Sequence, residues 1–248
     1  MATTATSAQD AQASIGTFGR LTGVLFNPKL TFADIARRPT WLAPILLLTL
    51  LGTGVCYVMN QRVDWSAFIH QQAEKSSRFA QMSDLQKDQA LAPQIKYAPA
   101  FTYAIGLLGT IIAAVILAGV YLGAFKLSAG AELNFAKSLA IVSHALMPSA
   151  IASVLGIITM LLKQPGDVNP QNFLASNVGA FLSSDAPRWE ISLGSSLDIF
   201  WIWTMILLAI GYSATNPKKL STQKAAGFVF GIWVVWVLAK VGWAAAFS

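Results

Sequence analysis

Apolar and polar positions alternate on two scales along this chain. On the coarse scale, five runs are long and apolar enough to read as membrane spans: 41–59, 99–125, 136–162, 197–214 and 225–247. A span needs roughly 20 apolar residues, at about 1.5 Å of rise each. The second run has no charge between Lys96 and Lys126. The third carries Lys137 near its start and His144 and Pro148 inside. The fourth opens with Trp201 and Trp203, and only Lys240 interrupts the fifth. This pattern predicts an all-α, polytopic integral membrane protein. Its membrane domain, 40–248, is a bundle of five transmembrane helices with interfacial amphipathic helices and two outer loops, 60–98 and 163–196.

On the fine scale, residues 1–14 are small and polar and read as a disordered tail. Residues 15–39 read as cytoplasmic interfacial helices. Ile15, Phe18, Leu21, Val24 and Leu25 recur at three- and four-residue steps, which predicts a short amphipathic helix. Asn27-Pro28 breaks it. Thr31 can cap a second short helix carrying Phe32 and Ile35, with Asp34 near its positive end and Arg37 and Arg38 at its close. Pro39 stops that helix, and Thr40 can cap the next. Phe18, Leu21, Phe26, Phe32 and Ile35 are expected in the lipid interface with the arginines at the headgroups. The alternative is a soluble hairpin packed against the bundle.

The loop 60–98 places Trp65, Phe68, Ile69, Ala73, Ser76 and Phe79 near one helical face, with Asp64 as a cap. Ser83 and Gln86 have capping-box spacing for a second helix, and Pro93 is expected to end the pair. These helices would rest on the outer leaflet. The loop 163–196, rich in Pro, Gly, Asn and Ser, would form a partly packed cap.

Composition strengthens the membrane reading. Hydrophobic residues make up 55% and charged residues 11%, whereas a soluble domain is about a quarter charged. The net charge is +6, and the basic residues sit beside apolar runs. Membrane lipids are therefore the expected partner; no basic patch with interleaved aromatics suggests nucleic acid. Lys and Arg are densest in the short segments: Arg20, Lys29, Arg37 and Arg38; Lys126 and Lys137; Lys218, Lys219 and Lys224. By the positive-inside rule the N-terminus is cytoplasmic and the C-terminus outside. The first twenty residues lack a basic stretch leading into an apolar core, so the first span is expected to act as an uncleaved insertion signal.

Candidate chemistry is sparse. Cys56 has no intrachain partner. His70 and Glu74 stand one helical turn apart without the HExxH pattern, which reads as a solvated face. His144 is an intramembrane ionisable group and so a functional candidate, or it bonds a serine or a carbonyl freed by Pro148. Asp198 reads as first-turn chemistry of a helix begun by Ser195 or Ser196, or as a site at the outer mouth. Trp233, Trp236, Lys240 and Trp243 share one face, where the lysine can snorkel to the headgroups. Gly119/Gly123 and Gly227/Gly231 allow close helix approach and so homo-oligomerisation. No Ser-His-Asp spacing, P-loop, dinucleotide fingerprint or carboxylate pair within one span is present. The expectation is a non-enzyme with no catalytic, cofactor-binding or metal residues and no cofactor.

The segment LFNPKLTFADIARRPTWLAPILLL resembles the membrane-approach motif of the Yip (Ypt-interacting protein) membrane-domain family, bacterial branch. The matching positions are Asn27, Pro28, Phe32, Ile35, Pro39, Trp41 and Pro44. Further similar pieces are FIHQQAEKSSRFAQMSDLQKDQAL, SHALMPSAI and SNVGAFL followed by SSLDIFWIWTMILLAIGYS. The resemblance implies five spans, a cytoplasmic N-terminus, an outside C-terminus and a bacterial cytoplasmic (inner) membrane. Eukaryotic relatives are linked to trafficking GTPases, but their Asp-Leu-Tyr-Gly-Pro motif is absent here. Two functional readings follow. The first is a membrane-organising or adaptor protein with another membrane or cytoplasmic protein as partner. The alternative is a small-solute transporter or permease subunit, motivated by His144 and Pro148.

Overall fold

A computed structural model describes residues 14–74, 79, 81–129, 133–183 and 186–246. The tail expected over residues 1–14 lies almost wholly outside these, as do Ser76 and Phe247. The described residues are helical throughout, apart from loops and one isolated bridge between Asn177 and Asp198.

The N-terminal hairpin is α1 (Thr17–Phe26) and α2 (Pro28–Arg37). Next come α3 (Leu42–Arg62), α4 (Trp65–Glu74) and α5 (Asp84–Ala129). α6 (Phe135–Ala145) and α7 (Pro148–Leu162) follow. After a 3-10 turn (Val178–Phe181) come α8 (Arg188–Ser196), α9 (Ile199–Ser213) and α10 (Thr222–Ala246).

Among the described residues four stretches are long and apolar enough to cross a bilayer: α3, α5, α6 with α7, and α10. α9 is as apolar but has only 15 residues. Its start is set by Asp198, which occupies the N-cap, so the fourth expected run loses two residues to the connection before it.

α5 corrects the reading of the first loop. Pro93 does not end a helix, and the span does not open at Pro99; both lie inside one helix of 46 residues. A proline removes an N–H and crowds the preceding turn. The helix nonetheless runs through both; near them Gln94 Nε2 donates to Ala90 O at 3.0 Å, and Asn60 Nδ2 to Pro99 O at 3.1 Å. The two caps expected in this loop are present. Ala67 N donates to Asp64 Oδ1 at 3.0 Å, and Ser83 and Gln86 exchange a capping box.

The run 136–162 is broken in the middle. Pro148 cannot donate to His144 O, so Met147 N takes that carbonyl at 3.2 Å, while Ser149 and Ala150 bond three residues back. These tighter bonds make the turn that separates α6 from α7.

α3 packs along α5 and α7, and α9 along α10 and α6. The main core joins Val24, Phe32 and Ile35 of the hairpin to Ile141, Leu208 and Tyr212. A smaller cluster of Val55, Met59, Val63, Met160 and Val168 closes the other end. Leu46, Leu50, Ile105, Leu108, Ile112, Val235 and Leu238 remain exposed, forming the apolar outer surface a hydrocarbon solvent requires.

Candidate functional site: the N-terminal hairpin

The motif-bearing segment folds as a tight helical hairpin. Pro28 occupies the first position of α2, where its missing N–H would have had no helical partner and its fixed φ suits the helix. Asn27 is the N-cap. Thr31 is therefore not a cap, contrary to expectation; it lies inside the first turn, where its Oγ1 donates to Asn27 O at 2.9 Å. α1 crosses α2 closely because residue 23 is glycine: a Cβ there would stand 2.5 Å from Thr31 Oγ1.

Phe32 and Ile35 were expected at the lipid interface. Both are instead 0% exposed and lie in the main core. Gly211 opens the slot for them, since a Cβ at that position would meet Ile141 Cγ2 at 2.5 Å and Phe32 Cδ1 at 3.0 Å. The outward positions are Phe18, 77% exposed, and Phe26, 83% exposed, with Leu30 and Lys29 beside them. Leu21 is half-buried.

A buried ionic cluster fixes the hairpin to the start of the membrane domain. Arg20 Nε donates to Asp34 Oδ2 at 2.9 Å, and a terminal guanidinium nitrogen lies 2.7 Å from the same oxygen. Its other terminal nitrogen donates to Arg38 O at 2.9 Å and to Thr40 Oγ1 at 2.7 Å. One guanidinium thus ties α1, α2 and the link to α3. Thr40 does not cap α3, as the sequence suggested; its hydroxyl belongs to Arg20, and Trp41 takes the N-cap without a side-chain bond. Pro39 lies in the break between α2 and α3, and Pro44 is buried in the first turn of α3. The pairing was missed because Arg20 and Asp34 are 14 residues apart. The available signal was Arg20 itself, one turn before Val24 on the inward face.

Next to the hairpin stands an aromatic stack. The rings of Phe125 and Tyr212 are parallel within 14° at 4.3 Å, with Tyr121 and Phe228 against them. Ser138 Oγ, 2.7 Å from Ala118 O, lies 2.5 Å from the Tyr212 hydroxyl. This joins α5, α6, α9 and α10.

The remaining candidates lie elsewhere and are not brought together. His144 is buried in α6, its Nδ1 2.8 Å from Ala140 O, a carbonyl of its own helix rather than one freed at Pro148. Asp198 accepts from Phe200 N and Trp201 N at 2.9 Å each and from Ser176 Oγ. It is the N-cap of α9, whereas Ser195 and Ser196 end α8, which corrects the first-turn placement. Lys240 donates to Ser195 Oγ at 3.2 Å. A Cβ on Gly119, Gly123, Gly227 or Gly231 would meet nothing within 4 Å, so these faces are open in the single chain. Among the described residues no group of three or more His, Cys, Asp and Glu could hold a metal ion.

Comparison with known proteins places this geometry in context. The Yip1 domain family matches residues 22–245. The chain is similar to "Membrane protein YknW" of Bacillus subtilis (strain 168), 27% identical over 219 residues, which cover 88% of each chain. No solved structure matches significantly.

Proposed function

Because the chain belongs to the Yip1 domain family, we propose that it is a non-enzymatic membrane-organising or adaptor protein whose docking platform is the N-terminal hairpin. The observation that carries this reading is the contrast between the two sides of that hairpin. Its inner side is held by the Arg20–Asp34 pair and by Phe32 and Ile35 in the core. Its outer side presents Phe18, Phe26 and Leu30 to the surroundings. Exposed aromatics on a rigid element bind at low entropic cost, since little has to be ordered on contact.

In this reading the hairpin faces the cytoplasm of a bacterium, on the inner membrane, and the C-terminus lies outside. The basic residues at the hairpin end support that orientation, and a relative from a bacterium supports a bacterial membrane. α9 makes the fifth crossing. At about 1.5 Å per residue its 15 residues cover about 22 Å. The short reach is compatible with a crossing because α9 is packed by α6, α7 and α10. Self-association would use the open glycine faces of α5 or α10.

A photo-cross-linking amino acid at Phe18 or Phe26 in native membranes tests the proposal, with the buried Phe32 as the control position. Discrete protein adducts at Phe18 or Phe26, absent at Phe32, support the adaptor reading. Lipid adducts alone at both outer positions overturn it. A small-solute transporter or permease subunit is the second reading, favoured by the broken α6–α7 passage beside His144. Wild-type-like solute flux in a His144→Ala variant removes that support.

A further inference from the structure

A polar cavity of about 640 Å³ opens at the end of the bundle away from the hairpin. Gln72 of α4, Gln171 and Asn172 of the loop after α7, Arg188 and Ser195 of α8, and Lys240 of α10 line it, and no carboxylate is among its described lining residues. Lys240 stands about 18 residues after the start of α10, or about 27 Å along it, close to the thickness of a hydrocarbon core. Trp236 and Trp243, one turn to either side, are exposed on the same helix. Such tryptophans mark the headgroup level.

The pairing of Lys240 is incomplete for a cation at this depth. Its ammonium is half-buried, and its partner is the neutral Ser195 hydroxyl at 3.2 Å. Ser195 Oγ gives its own proton to Ser192 O at 3.1 Å, so it meets Lys240 with a lone pair and balances none of the charge. Lys240 takes part in neither the Arg20–Asp34 nor the Lys87–Asp84 ion pair. The amides beside it have used their acceptor ends. Gln171 Oε1 receives Gln72 Nε2 at 3.4 Å, and Asn172 Oδ1 receives Asn177 Nδ2 at 2.9 Å. Their NH₂ groups are left to donate.

We propose that this cavity binds the phosphate group of an anionic ligand. Lys240 supplies the charge, and the Gln171 and Asn172 amides supply neutral donors. Three converging donors from two separate elements suit a tetrahedral, acceptor-rich group better than a flat carboxylate, which two parallel donors satisfy. The phosphate comes from a lipid headgroup at the bilayer surface or from soluble phosphate outside the membrane. The site is independent of the hairpin platform.

The test uses the full chain in a neutral detergent, titrated with short-chain phosphatidic acid, with the matching diacylglycerol and with inorganic phosphate. Binding is read by native mass spectrometry and by the shift in melting temperature. Phosphatidic acid is expected to bind one per chain. Lys240→Gln should weaken it about tenfold or more, the loss expected for one charge-assisted contact. Lys240→Arg should restore it, and Lys224→Gln at the opposite end should leave it unchanged. Gln171→Leu, on an exposed position, serves if Lys240→Gln fails to fold. Inorganic phosphate that binds with the same Lys240 dependence while phosphatidic acid does not assigns the site to soluble phosphate. Diacylglycerol binding as well as phosphatidic acid, or affinities for both phosphate probes within about twofold of wild type in Lys240→Gln and in Gln171→Leu, overturns the proposal.

Discussion

Asp34→Ala is the sharpest perturbation of the hairpin. It leaves the Arg20 guanidinium enclosed, with only Arg38 O and Thr40 Oγ1 as acceptors. The two side chains are 6% and 7% exposed, so solvent screens the lost charge poorly. Breaking a buried pair by removing one partner costs about 3–5 kcal/mol. The surviving neutral acceptors place this site near the lower figure, about 3 kcal/mol. The cost falls on the hairpin, because the pair ties α1 to α2 and to the link before α3. At about 1.4 kcal/mol per factor of ten, amide exchange across Thr17–Arg37 should accelerate about a hundredfold if it occurs by local opening. Hydrogen–deuterium exchange with mass spectrometry in detergent reads this directly, with α3 as the internal reference. The double variant Arg20→Met/Asp34→Leu removes both charges and should recover most of the protection, because apolar replacement of a buried pair is often neutral or better. Hairpin exchange within about threefold of wild type in Asp34→Ala, or a double variant as fast as the single one, would refute the reasoning.

Three further outcomes are expected. Gly211→Ala places a methyl group 2.5 Å from Ile141 Cγ2 and 3.0 Å from Phe32 Cδ1; overpacking should destabilise the protein by about 1–3 kcal/mol, read as a lower melting temperature in detergent. Tyr212→Phe removes the hydroxyl that meets Ser138 but leaves the bond from Ser138 to Ala118 O, so the loss should be only about 0.5–1.5 kcal/mol by the same assay. Asp198→Ala removes the acceptor for two backbone amides of α9; it should cost about 0.5–2 kcal/mol, and hydrogen exchange should quicken first at Phe200 and Trp201.

The apolar runs made the membrane bundle legible before any coordinates, because a span is a long-range average over roughly 20 residues that no single side chain can hide. Local capping was legible where the cap and its target lie within one turn, as for Asp64 and for Ser83 with Gln86. The same logic misled at Thr31, Thr40 and the serines before Asp198. Each of these hydroxyls had a competitor that periodicity does not rank: Asn27 followed by a proline, an arginine distant in the sequence, and a carboxylate. The depth of Phe32 and Ile35 was illegible for another reason. Amphipathic spacing says that they share a face, but whether lipid or protein covers that face depends on Gly211, far along the chain. Pro93 and Pro99 show the converse, since a local breaker signal is overridden and one helix continues through both.

The two ends of the bundle treat a cation in opposite ways, and that difference separates framework from site. Arg20 has a carboxylate, a carbonyl and a hydroxyl around it, all supplied by the chain itself. Nothing further is needed for its charge, and its place is to hold the hairpin still while Phe18 and Phe26 face outward. Lys240 is half-buried, with one neutral hydroxyl as its partner. A chain that uses only 11% charged residues has little reason to spend one on a half-enclosed position that a leucine would fill at lower cost. The cation is explained if an anion completes the pair from outside. On this argument Arg20 should tolerate replacement only together with Asp34, whereas replacing Lys240 with an apolar residue should leave the unliganded fold intact and remove the response to phosphate.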